Sequence, residues 1–214
     1  MGRTQGGEIV SDALRGFDRL KSWVDQLADI HRRIRVGRGR RHRQEALYRA
    51  GVVMTVAAWE SYVEDVLNEA MAALDPGPAA TAGERTAWVL ACTSAKLAAK
   101  KFNTPNAQNV AALLDAHLGI DIEPSWTVNV NGTAYTAQQA KTRMNKWLEI
   151  RHKVAHGGVL PTDIAWIKSP SGTPRLTLAL MNDCRDFFRA LAQQTDIAIA
   201  AYLVNRFGLL AQPW

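Results

Sequence analysis

Residues 43–75 constrain the fold more than any other stretch of the chain. Val52, Val56, Trp59, Val63, Val66 and Ala70 recur at three- and four-residue intervals and make one apolar stripe. Leu47, Met54, Ala58 and Tyr62 make a second. A helix that is apolar on two faces must be covered on both, so this one is expected at the centre of a bundle. Asp75-Pro76-Gly77-Pro78 ends it.

Other helical patterns surround it. Val10, Leu14, Phe17, Leu20, Val24, Leu27 and Ile30 predict a helix over 8–35. Shorter helices are expected at 83–102, with Trp88, Leu90 and Leu97 on its apolar face, and at 105–118, with Pro105 at its first position. Further helices are expected at 136–157 and 182–207. Two interruptions read as β-hairpins. One turns at Asn131-Gly132, the strongest short-range hairpin signal. The other pairs Asp163–Ile167 with Arg175–Leu180 around a Ser/Pro/Gly turn. The expected fold class is all-α: an antiparallel helical bundle with one or two small β-hairpin insertions. Connections between helices are short, which favours antiparallel neighbours.

At 214 residues and 47% hydrophobic content, the chain suits one domain with a full core. No run reaches the roughly 18 apolar residues of a membrane span, so no membrane partner is expected. The first residues lack an apolar signal core, and Gly6 breaks the myristoylation pattern. Cys92 and Cys184 lie far apart in helical patterns and read as reduced core thiols. These features together point to the cytoplasm. The net charge is +6, yet residues 31–43 alone carry seven Arg and no acid, leaving −1 for everything else. Such concentrated basicity, including Arg38, Arg40 and Arg41, suits a polyanion contact. A solvated interhelical loop accounts for it equally well, and Gly37 and Gly39 favour a flexible one.

The candidate chemistry lies in Lys146–Gly158, the end of the fifth helical pattern. Met144, Trp147, Leu148, Val154 and Ala155 form its apolar stripe, and Arg151 sits inside that stripe. A charge so placed must be paired or serve a site. Glu60 and Glu64 on the central helix are the candidate partners. His156 places a titratable imidazole at the negative end of the helix dipole. Five residues at 100° each put Arg151 and His156 roughly 140° apart around the axis. One helix therefore does not aim both at one atom, whereas two copies across a two-fold axis can bring both pairs into one cleft. His31, His42, His117 and the cysteines show no metal-ligand spacing, so no metal or other cofactor is expected.

Arg151-His-Lys-Val-Ala-His156, late in a long helix and followed by Gly157, resembles the Arg-x4-His signature of the HEPN superfamily. The segment Ala57-Ala-Trp-Glu-Ser-Tyr-Val-Glu-Asp-Val-Leu67 is similar to the branch related to RiboL-PSP and MAE_28990 HEPN proteins. The resemblance covers roughly residues 8–207 and makes the chain a single HEPN-like domain. It implies a metal-independent endoribonuclease acting as a homodimer with a composite site, in a toxin–antitoxin or phage-defence setting. RNA is then the substrate, and an antitoxin or another defence-operon protein is a possible partner. Arg151 and His156 would be the catalytic pair, and His152 the polar residue that orients or supplements the arginine. Lys146, Lys153 and the Arg32–Arg43 run would hold flanking phosphates. Nucleotidyltransferase-paired HEPN toxins carry a Tyr two positions after the His; here that position is Gly158, so tyrosine-based control is not implied.

Two other readings use the same residues. One is a HEPN-like scaffold that binds RNA or protein without cleaving. The other is a dimeric regulator in which Arg151 is a structural anchor. The tryptophans read as core, with Trp126 and Trp166, beside the hairpins, as the exceptions that could serve as base-stacking groups.

Overall fold

The computed structural model describes residues 10–34, 44–209 and 213–214. Among them are six α-helices and one two-stranded sheet. The helices are α1 (Asp12–Arg33), α2 (Glu45–Ala73), α3 (Ala82–Lys101), α4 (Ala107–Leu118), α5 (Ala137–Ala155) and α6 (Leu178–Phe207). The strands β1 (Val128–Val130) and β2 (Thr133–Tyr135) pair antiparallel between α4 and α5. The Arg-rich residues 35–43, with Arg38, Arg40 and Arg41, lie outside the described residues.

The central helix is where its two apolar faces put it. α2 packs against α1, α3, α4, α5 and α6. Its Trp59 stacks on Tyr62, with ring centroids 5.6 Å apart, and meets Phe188 of α6 at 5.8 Å. Phe17 of α1 meets Tyr62 edge-on. Two of the three fully buried indoles find an acceptor: Trp59 donates to the Pro105 carbonyl and Trp126 to the Thr195 hydroxyl, both at 3.0 Å, while the Trp147 indole N–H has no partner among the described residues. Gly51 lets α6 close on α2, since a Cβ there would come within 2.3 Å of the Met181 sulfur.

Helix starts follow side-chain caps. Ser11, Thr81, Asn106, Thr136 and Thr177 each accept a hydrogen bond from a first-turn N–H. Thr81 and Thr136 complete reciprocal capping boxes with Glu84 and Gln139.

Four expectations need correction. α4 begins after Asn106, not at Pro105, because the Asn106 side chain caps it. The second hairpin does not form: Ala165–Ile167 is a 3-10 turn, the only pairing nearby is one bridge between Lys168 and Pro174, and Thr177 caps α6, which starts at Leu178. The alternation in Arg175–Leu180 is therefore a cap and a first helical turn. On α3, Val89, Leu90 and Leu97 are exposed, and the helix buries Ala95 and Ala99 instead. Ile30 is likewise exposed at the outer face of α1. Of the two cysteines, Cys184 is buried and Cys92 is half-buried.

No described helix is long and apolar enough to cross a membrane.

Candidate functional site

The C-terminal end of α5 is built by its own sequence. His156 is the last half-helical residue, and Gly157 follows at φ +67°. The Gly157 N–H donates to the Val154 carbonyl at 3.2 Å, and the Gly158 N–H to the Lys153 carbonyl at 2.8 Å. This is a Schellman closure, and the left-handed backbone at Gly157 is what it requires. It ends the helix abruptly and leaves His152, Lys153 and His156 exposed on its last turn.

On the inner side of the same turn, Arg151 reaches across to α2. Its guanidinium lies 3.3 Å from a Glu60 carboxylate oxygen, and both side chains are 23% exposed. Of the two candidate carboxylates, Glu60 rather than Glu64 is therefore the partner. Burial pushes the Glu60 carboxyl above its ordinary range, and the Arg151 charge pulls it partly back. Glu64, one turn further along α2, is raised by burial and then by its neighbours Glu60 and Asp65. The pair is thus a half-open ion pair on the bundle flank rather than an interior one.

Arg151 and His156 point to different sides of α5, as the 140° separation requires. The structure instead brings His152 and His156 together, with ring centroids 4.5 Å apart and planes tilted by 54°. Their i, i+4 spacing is legible in the sequence and is the signal that would have found this imidazole pair. The buried stripe of α5 also differs from expectation. Met144, Trp147 and Leu148 are buried as expected, joined by Ile150, while Val154 is half-buried and Ala155 exposed.

The two lysines differ. Lys146 is held by Glu149 at 3.0 Å and by Asp163 at 2.7 Å. Those hydrogen bonds, Asp163 first, raise the Lys146 ammonium above its ordinary value and lower Asp163. A phosphate at Lys146 would have to compete with two carboxylates. Lys153 is exposed and forms no ion pair with a described residue. Trp126 is fully buried and cannot stack on a base, whereas Trp166 is half-buried beside Trp147. Among the described residues, no three His, Cys, Asp or Glu side chains gather as a metal site.

No curated protein and no solved structure matches the chain. A family model does, over residues 17–201, from the second turn of α1 to near the end of α6. The stretch includes Glu60, Arg151, His152 and His156, and on it the chain belongs to the RiboL-PSP-HEPN family.

Proposed function

We propose that the protein is a metal-independent endoribonuclease whose site lies at the end of α5 and is completed by the same helix of a second copy. Membership of the family supports an RNA-directed enzymatic or binding role. The observation that carries the catalytic reading is the half-exposed Arg151, held by Glu60, on the turn that also presents the imidazole pair. Cleavage of RNA by its own 2′-OH needs a group to accept that proton and a cation to stabilise the charge that builds on phosphorus. A histidine titrates near neutrality and suits the first task. An arginine offers a planar fork of donors and suits the second. His156 accepts the 2′-OH proton, Arg151 holds the phosphorane oxygens, and His152 orients or supplements the pair. The 2′-oxygen bonds to phosphorus as the P–O5′ bond breaks, and the departing 5′-oxygen takes a proton from solvent, leaving a 2′,3′-cyclic phosphate and a 5′-OH end.

The need for a second copy follows from the angle between Arg151 and His156. Exposed apolar groups at the same end, Ala155 and the 81% exposed Val159, supply material for a two-fold contact. Lys153 and the Arg-rich residues 35–43 are the reserve of positive charge for flanking phosphates. A toxin or phage-defence effector is the setting we propose, with an antitoxin or another operon protein as its regulator.

The test is cleavage of single-stranded RNA by wild type, Arg151→Ala and His156→Ala in EDTA, with sedimentation to read the oligomeric state. Wild type should cleave, and each variant should lose cleavage while staying folded. Full cleavage by both folded variants would remove this site from the mechanism, and loss of wild-type cleavage in EDTA would sink the metal-free chemistry. One observation favours a second reading: Arg151 finds its carboxylate within a single chain. A scaffold or regulator that binds RNA or protein without cleaving would show binding unaffected by Arg151→Ala.

A further inference from the structure

A cavity of about 310 Å³ opens on the same helix, nearer its start. The hairpin strand β2 forms one wall, the first half of α5 the floor, and Trp166 of the 3-10 turn the far side. Its volume lies at the small end of ligand pockets.

The aromatic walls are fixed before any ligand arrives. Tyr135 is braced edge-on by Phe187, with centroids 5.9 Å apart. Trp166 leans on the buried Trp147 at 4.6 Å, and the Arg143 guanidinium lies over the Trp166 ring, 3.6 Å from its centroid. Polar groups line the rim. The Gln138 amide and the Thr133 hydroxyl make no side-chain hydrogen bond with a described residue, and the Thr142 hydroxyl donates to the Gln138 carbonyl while keeping its acceptor capacity.

Charge decides what such a pocket takes. Its two cations are already spent: Arg143 pairs with Asp183, and Lys146 with Glu149 and Asp163. A phosphate would meet two matched cations and three carboxylates. An uncharged flat ring with a donor–acceptor edge meets the Tyr135 ring, the Arg143 guanidinium laid over Trp166, and free amide and hydroxyl groups. Those are the features by which single-stranded RNA bases are held.

The pocket also lies on the face of α5 that runs to Lys153 at the helix end, with Arg151 and His156 roughly 140° and 80° from Lys146 around the axis. Thr142 and Lys146 share one face of α5, and Lys153 falls within about 20° of Lys146 around the axis. From Lys146 to His156 is roughly 15 Å along the helix. We propose that the cavity is a base-binding subsite, taking one unpaired nucleobase of the RNA whose backbone runs along α5 to the helix end. This rests on the ribonuclease reading for the identity of the strand, but base binding is measurable without cleavage.

The experiment titrates the full chain with uncharged nucleosides and, separately, with inorganic phosphate, reading backbone and indole N–H resonances by NMR. Nucleosides should shift Thr133, Gln138 and the Trp166 indole, and phosphate should not. Ala134→Trp, on the exposed hairpin strand, fills the cavity and should abolish the nucleoside shifts; Gln138→Ala should weaken them. In RNA cleavage, both variants should raise KM about 5-fold or more with kcat retained, as expected for loss of one stacked base. Arg151→Ala should keep the nucleoside shifts and lose cleavage. Nucleoside shifts from a wild type that cleaves nothing would support the subsite while sinking the ribonuclease reading. A wild type unresponsive to nucleosides, a response to phosphate alone, or nucleoside shifts that survive Ala134→Trp would overturn the subsite.

Discussion

Two desolvated carboxylates contact the bundle in opposite ways. Asp196 of α6 is 2% exposed and is satisfied by neutral donors: the Ser11 N–H at 3.2 Å, the Ser11 hydroxyl and the more distant Tyr62 hydroxyl. Glu60 of α2 is 23% exposed in its side chain and is satisfied by a cation, Arg151. The first contact ties the start of α1 to α6 and α2 and shuts out water. The second leaves its cation within reach of a solute. A latch can be closed because nothing has to enter it. On the proposed reading, a site for a polyanion needs its positive charge half in water, and a single partner on the inner side positions the guanidinium without covering it.

The comparison breaks most visibly at Arg151. If the open pair is the working one, Arg151→Ala should lower RNA cleavage by about 10²- to 10³-fold and stability by only about 1 kcal/mol, measured by product formation and urea denaturation. Asp196→Ala should do the reverse. It strands the Ser11 and Tyr62 donors and should cost about 3 kcal/mol, with kcat unchanged in protein that remains folded. Equal losses of activity in both variants would erase the distinction.

Acidity sharpens it next. Burial raises the Asp196 carboxyl above its ordinary value, an effect that the Ser11 hydrogen bonds partly offset. Folding therefore favours the protonated acid. That contribution is fully present below the unfolded value, about 4, and is lost as pH rises through the higher native value. Urea midpoints should fall across that window, and Asp196→Asn should flatten the fall. Glu60 is raised in the same direction with Arg151 opposing, so Glu60→Gln should flatten it less.

The helix end offers a smaller test. Gly157→Ala puts a side chain at φ +67° with no neighbour to clash, so only backbone strain acts. It should cost about 1 kcal/mol and lower cleavage more than Asp196→Ala does, because it disturbs the turn that carries the histidines. Smallest is Lys146→Ala. An exposed ion pair is worth about 1 kcal/mol or less, and with its charge already matched the salt slope of RNA binding should hardly change. A slope reduced by about one unit would instead make Lys146 a phosphate contact.

Much of this was legible in the residues. The two apolar faces of 43–75 require a covered central helix. Asn131-Gly132 dictates its turn, and a lone Arg among apolar neighbours calls for an acid such as Glu60. The second hairpin was not legible, since four alternating residues in Arg175–Leu180 fit a strand as well as a capped first turn. On α3, Leu90 and Leu97 are the larger apolar residues, yet Ala95 and Ala99 are the buried ones, because small side chains let helices approach closely. The imidazole pair was within reach of i, i+4 reasoning. The cavity beside β2 was not: two of its walls, Tyr135 and Trp166, are 31 positions apart.

What the sequence by itself determined is local. Apolar period, caps such as Thr136 with Gln139, and the Gly157-Gly158 closure set where α5 starts and stops, because each acts over one turn. The tertiary structure alone decided the long-range choices. Glu69 of α2 accepts the first N–H groups of α1, from Asp12 and Ala13, each at 3.0 Å. Asp196 binds Ser11 across 185 positions. Glu60 rather than Glu64 meets Arg151. Such partners are chosen by how helices cross, and one turn of helix, about 5.4 Å, is enough to pass a contact from one carboxylate to the next.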